Sequence, residues 1–168
     1  MGLKMNLMEI EKSVKEWLDR IYQDPLVNIL LKNSSLTEIQ LETMLIDILA
    51  EEISQSKISY ENKRVMRISK SNISKGSYNR TLRQARKNIR RSVSTLLLLG
   101  YLDLLDTPNL LPFIDLSRQL ERYKELYRIN WKTSVEGDQK KKIQMEIQEY
   151  KNMIKEGLEK LSTLKKIH

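Results

Sequence analysis

A chain of 168 residues with a hydrophobic share of 40% suits one compact domain of ordinary size plus an appendage. It contains no cysteine, which excludes disulfides and thiolate metal sites, and no apolar run approaches the ~20 residues of a membrane helix. The net charge of +8 points to an anionic partner only if the charge is concentrated.

The N-terminal stretch is amphipathic and charged, without the apolar region of a signal peptide. Asn6 stands where myristoylation requires Ser or Thr. The expected location is the cytoplasm, with no membrane partner. Leu7, Ile10, Val14, Trp17, Leu18 and Ile21 recur at three- and four-residue steps, which predicts one packing or dimerising helix ending near Asp24-Pro25. Ser35 to Glu38 matches a capping box, so a second helix is expected to start there. Its apolar stripe would be Leu36, Ile39, Met44, Leu45, Ile48, Leu49 and Ile53, with the acidic residues on the outer face.

Ser59 is placed to cap a short helix over Tyr60 to Arg67. A serine-rich turn from Ile68 to Gly76 follows, and a long helix starts at Ser74 or Ser77. Tyr78, Leu82, Ala85, Ile89, Val93 and Leu96 share one side of that helix, and Arg80, Arg83, Lys87, Arg90 and Arg91 the opposite side.

The charge is concentrated here. From Asn62 through Leu102 there is no acidic residue, and Lys63, Arg64, Arg67, Lys70, Lys75, Arg80, Arg83, Arg86, Lys87, Arg90 and Arg91 supply eleven positive charges. Subtracting these eleven from +8 leaves the rest of the chain at −3. A surface selected for solubility mixes both signs, whereas a block of one sign is the footprint of a face that meets phosphates.

Short helix, turn and basic helix follow the order of a helix-turn-helix, whose second helix enters the major groove with its N-terminal residues at the base edges. In that geometry Lys75, Ser77, Asn79, Arg80 and Arg83 are the base-reading candidates, on a recognition helix over about 77–95. Arginine pairs with guanine and asparagine with adenine, so Asn79, Arg80 and Arg83 lead this group. Lys63, Arg64, Arg67, Lys70, Arg86, Lys87 and Arg90 are the phosphate candidates.

The segment Ile73-Ser-Lys-Gly-Ser-Tyr-Asn-Arg-Thr-Leu-Arg-Gln-Ala-Arg-Lys-Asn-Ile89 resembles the recognition-helix segment in the promoter-reading helix-turn-helix domain of bacterial sigma factors. The shared pattern is Ile-Ser-x-Gly-Ser/Thr followed by Leu-x-x-Ala-Arg. The resemblance is local and implies the motif's geometry. Leu96 to Leu102 is similar to the recognition-helix exit of winged-helix regulators, where a Gly-aromatic-aliphatic step opens a strand. Gly100 itself suits a helix C-cap. Tyr101 to Leu105 and Leu110 to Ile114 then form either a two-stranded wing or a packed connector, Pro112 confining its strand to an edge.

The remainder returns to helical spacing, with Leu116, Leu120, Tyr123 and Tyr127 in one stretch and Ile143, Ile147, Tyr150, Ile154, Leu158 and Leu161 in another. The second approximates a coiled-coil seam, and a turn at Gly137 lets the two fold into a hairpin. The expected fold is mainly α: an N-terminal helix (1–33), a helix-turn-helix domain (34–115) with or without a wing, and a helical hairpin (116–168) for packing or dimerisation.

The only histidine is His168, and no HExxH, P-loop or Rossmann glycine pattern occurs. Neither Glu51 with Glu52 nor Glu146 with Glu149 predicts a metal site. The expectation is a non-enzyme without metal or cofactor. The leading expectation for its role is a DNA-binding transcriptional regulator, homodimeric, with double-stranded DNA as partner. One alternative is an accessory subunit of the transcription or replication machinery, whose basic helix meets an acidic protein. RNA binding ranks third, since Tyr78 is the only ring between Asn62 and Gly100.

Overall fold

A computed structural model describes residues 6–69, 73–104, 111–132 and 137–161. Among them every regular element is a helix. The chain divides into two compact units, Met1–Ser94 and Thr95–His168.

In the first unit α1 (Leu7–Gln23) begins with a capping box: Asn6 accepts from the Glu9 amide and the Glu9 carboxylate accepts from the Asn6 amide. Asp24 ends α1 and caps α2 (Pro25–Lys32), with Pro25 at the first position, where its missing N–H costs nothing. The expected stop is therefore also a start. Helix α3 (Glu38–Ser54) is capped by Thr37 with Gln40, two residues later than the expected box at Ser35. The Ser35 hydroxyl lies instead against that of Ser92 at 2.7 Å.

Helix α1 packs against α3. Ile10, Val14, Leu18, Ile46, Leu49 and Ala50 join Met66, Tyr78 and Leu82 in one core. The face of α3 differs from the expected stripe, because Ile46 and Ala50 are buried while Ile39 and Ile48 are exposed.

Helix α4 (Tyr60–Val65) carries its expected cap, the Ser59 hydroxyl accepting from the Asn62 amide. Helix α5 (Lys75–Tyr101) follows. Ser74 Oγ accepts from the Ser77 amide at 3.1 Å, which puts the helix start at the first of the two expected serines. Residues 66–74 separate α4 from α5, a longer connection than the 3–4-residue turn of a helix-turn-helix.

The first half of the apolar stripe on α5 is buried at Tyr78, Leu82 and Ala85, but its continuation at Ile89, Val93 and Leu96 is exposed. The unit's core ends about halfway along the helix. Gly100 is not the cap: α5 runs past it, and the left-handed position falls at Asp103. There Leu104 N donates to Leu99 O at 3.0 Å and Asp103 N to Gly100 O at 3.2 Å, the pair of bonds that defines a Schellman end.

No strand occurs among the described residues. Where a wing strand was one expectation, Tyr101 closes α5 and Leu111–Ile114 open α6; helical dihedrals there leave no ladder groups to pair. Residues 105–110, the centre of that segment, lie outside the described residues.

In the second unit α6 (Leu111–Lys132) packs against α7 (Asp138–Leu161). Leu116 meets Gly157 and Arg122 meets Glu146 at 3.9 Å, so the register descends on one helix as it rises on the other and the pair is antiparallel. Leu116, Tyr123, Leu126 and Ile154 are buried, and the rings of Tyr123 and Tyr127 stack at 5.9 Å.

Candidate nucleic-acid interface

The basic segment is organised by α3. Glu42 lies four residues before Ile46 and seven before Leu49, on the buried face itself, and is 1% exposed. A carboxylate in that position must be fully satisfied. It is: Arg67 Nε donates to Oε2 at 2.9 Å, the amides of Ile68 and Ser69 donate to Oε1 at 2.6 and 3.0 Å, and the Ser69 hydroxyl donates to Oε2. Burial alone pushes the Glu42 carboxyl up, but the bonds from Ser69, Arg67 and Ile68 outweigh it and hold the group below its ordinary range.

One turn further along, Lys63, 2% exposed, reaches Asp47 Oδ1 and Glu51 Oε1, each at 2.7 Å, and the Asp47 carbonyl at 3.1 Å. Its ammonium also lies 5.4 Å from the Tyr60 ring centroid. Burial alone lowers the Lys63 pKa; the two carboxylates outweigh it and hold it above the ordinary lysine value.

These contacts correct two of the phosphate candidates. Lys63 and Arg67 are buried ion-pair partners that tie α4 and the following turn to α3, and neither presents charge to solvent. Arg64 is held by Glu61 and donates to the Ile73 carbonyl at 2.9 Å. Lys70 lies outside the described residues. Glu42, Asp47 and Glu51 of α3, expected on an outer face, instead receive this segment, while Glu38 and Glu52 are exposed as expected; Lys63, Arg64, Arg67 and Arg86 each meet a carboxylate.

Helix α5 is seated on the same support. Tyr78, fully buried, donates its hydroxyl to the Thr43 carbonyl at 3.1 Å, and burial pushes that phenol up, the Asp47 charge adding to it. Arg86 bonds Asp47 Oδ2 at 2.9 Å. Asn88 donates to the Ser35 carbonyl and to Gln40 Oε1 at 3.0 and 3.1 Å. These bonds fix the rotation of the helix about its axis.

That rotation turns Arg80, Arg83, Lys87 and Arg90 to solvent. Their spacing of three, four and three places them in one row about 15 Å long. Among the described residues none of the four is in an ion pair; Arg83 makes only a long 3.4 Å bond to the Asn79 carbonyl. Of the other base-reading candidates, Lys75 and Ser77 are exposed at the start of α5 and Asn79 is half-buried at the edge of the core. Arg86 is exposed but shares its charge with Asp47.

Comparison with protein-family profiles, curated proteins and solved structures found no match to this chain.

The acidic support was the part missed from sequence. Its signal is Glu42 at i, i+4 and i+7 with Ile46 and Leu49: an acid on an apolar stripe demands a cation from elsewhere in the chain.

Proposed function

We propose that the chain binds double-stranded DNA through the outward face of α5 and regulates transcription by occupying its site, as a cytoplasmic homodimer. The observation that carries this reading is the row Arg80, Arg83, Lys87 and Arg90: four exposed cations without a carboxylate partner among the described residues, on a helix whose rotation is fixed by bonds from Tyr78, Arg86 and Asn88 to α3. A helix that only needs solubility interleaves glutamate at four-residue steps; α5 has no acidic residue at all.

The start of α5 supplies base contacts from Lys75, Ser77, Asn79, Arg80 and Arg83, while Lys87, Arg90 and Arg86 hold phosphate. The resemblance of residues 73–89 to a promoter-reading recognition helix supports the same orientation. The approach is helix-turn-helix-like, with a longer connection in place of the tight turn.

The test is duplex binding by fluorescence anisotropy over a salt series, with random competitor, for the wild type and for a variant carrying alanine at all four positions of the row. The dissociation constant is expected to rise steeply with salt, and the variant to lose roughly three to four units of log–log slope. Absence of duplex binding at low salt would reassign the row to an acidic protein surface.

A further inference from the structure

The helical hairpin of the second unit distributes its charges unevenly between its two edges. Arg122 of α6 meets Glu146 of α7 at 3.9 Å, which marks one edge of the seam along which the two helices pack. At 100° per residue Asp115 lies about 20° round α6 from Arg122, and Glu149 and Glu156 lie within about 80° of Glu146 on α7. That edge therefore mixes both signs, and a cation of one helix pairs with a carboxylate of the other, as the flanks of packed helices ordinarily do.

The opposite edge is built differently. Lys124 stands about 200° round α6 from Arg122, and Lys140, Lys151 and Lys155 stand roughly 120–180° round α7 from Glu146. In the antiparallel register set by Arg122 with Glu146 and Leu116 with Gly157, Lys124 falls level with the stretch between Lys140 and Lys151. The four form a row about 22 Å long at 1.5 Å per residue. Lys124, Lys140 and Lys155 are exposed and Lys151 is half-buried. Between them α7 places Gln144 and Gln148 on this edge, while Glu121, Glu125 and Glu159 lie on the outer backs of their helices, away from the seam. Among the described residues none of the four lysines is in an ion pair. Like charges so placed repel one another, and a polyanion laid along the edge removes that repulsion.

We infer that this edge holds the phosphodiester backbone of the duplex without reading its sequence, a second contact that rests on the DNA-binding reading for the identity of the polyanion. The row matches about six nucleotides of one strand at ~3.4 Å each. Lysine is a point charge suited to phosphate and is depleted from protein interfaces, which disfavours an acidic protein as the partner. The exposed large apolar residues of the hairpin, Ile114, Ile129 and Met145, all lie away from this edge at the same angular spacing. Among the described residues it thus offers no apolar group to enter a membrane and no exposed ring to stack a base.

The test uses the full chain and a random duplex, with binding followed by anisotropy over a salt series. A variant combining Lys124→Gln, Lys151→Gln and Lys155→Gln is compared with one combining Arg118→Gln, Lys142→Gln and Lys160→Gln, which removes the same charge at exposed positions outside the row. The first is expected to lose about three units of log–log slope, the second to stay near the wild-type slope, and both to keep their helical circular dichroism. Arginine at the three positions of the first variant should restore the slope. Equal losses in the two variants, or no loss in the first, would overturn the edge and leave the α5 reading standing. A slope that falls in the first variant but not with alanine at Arg80, Arg83, Lys87 and Arg90 would uphold the edge and remove α5 as the DNA surface. A wild type that binds no duplex at low salt would overturn both.

Discussion

The basic segment holds two populations of cations that look alike in the sequence and behave oppositely in the fold. Lys63 and Arg67 are buried against Asp47, Glu51 and Glu42, and their charge is neutralised inside the first unit. Arg80, Arg83, Lys87 and Arg90 project from α5 with no carboxylate partner among the described residues. The difference is which helix face each occupies relative to α3. A run of one sign along a chain is thus a mixed signal: part of it neutralises buried acids, and only the remainder faces a partner.

The sharpest way to break this contrast is Glu42→Ala. It leaves the Arg67 guanidinium buried without its carboxylate and strips the acceptor from two amides of the following turn, and breaking a buried pair in this way costs about 3–5 kcal/mol. Urea unfolding should show that loss, and Tm should fall by more than about 10 °C. An unchanged midpoint would mean that Glu42 and Arg67 are solvated and that the two populations are one.

The contrast also predicts a pH profile. Glu42 is held below its ordinary pKa of 4.5, so its contribution is complete above that value and is lost as pH falls through the depressed one. Lys63 is held above 10.5, so its contribution is complete below that value and is lost as pH rises through the raised one. Melting curves should therefore be lowered at both extremes, and the acid loss should shrink in Glu42→Ala, the remainder coming in part from Glu51, which the hydrogen bond and charge of Lys63 also hold below the ordinary carboxylate range.

Much of the first unit was legible because its signals are local. Ser59 and Ser74 announce helix starts by their place before a periodic run, and Tyr78, Leu82 and Ala85 are spaced to share a buried face. The acidic support was not legible in this way, because the bond from Arg67 to Glu42 spans 25 residues and that from Lys63 to Asp47 spans 16; periodicity within one helix says nothing about what another brings to it. The distal half of α5 misled for the opposite reason. Its stripe continues without a break through Ile89, Val93 and Leu96, but the layer that would bury it within the first unit has run out, and pattern alone cannot report the extent of a partner surface. The Schellman end at Asp103 was missed because Gly100 is the favoured residue type for it, whereas aspartate also tolerates the left-handed conformation.

A smaller effect tests how firmly the row is aimed. Tyr78→Phe removes the bond from the buried hydroxyl to the Thr43 carbonyl while keeping the ring, and should cost about 1 kcal/mol. If α5 depends on that bond for its rotation, duplex affinity should fall with it at a salt slope close to wild type, because the number of phosphates met does not change. A loss of stability with affinity intact would assign the rotation to Asn88 and Arg86 instead.

The smallest expected change separates the members of the row from one another. Lys87 lies near its middle, exposed and without an ion pair among the described residues, so Lys87→Ala should leave Tm unchanged, weaken binding to all duplexes alike and reduce the salt slope by about one. Arg83 lies one turn closer to the start of α5, where side chains of a groove-bound helix meet base edges. Arg83→Ala should therefore reduce affinity for a preferred site about tenfold or more relative to random duplex, a discrimination of about 1–3 kcal/mol. If both substitutions weaken every sequence equally, the row is a phosphate track along its whole length and the source of specificity lies elsewhere. If neither alters the salt slope, the exposed cations of α5 do not meet nucleic acid, and only the buried population would have an assigned role.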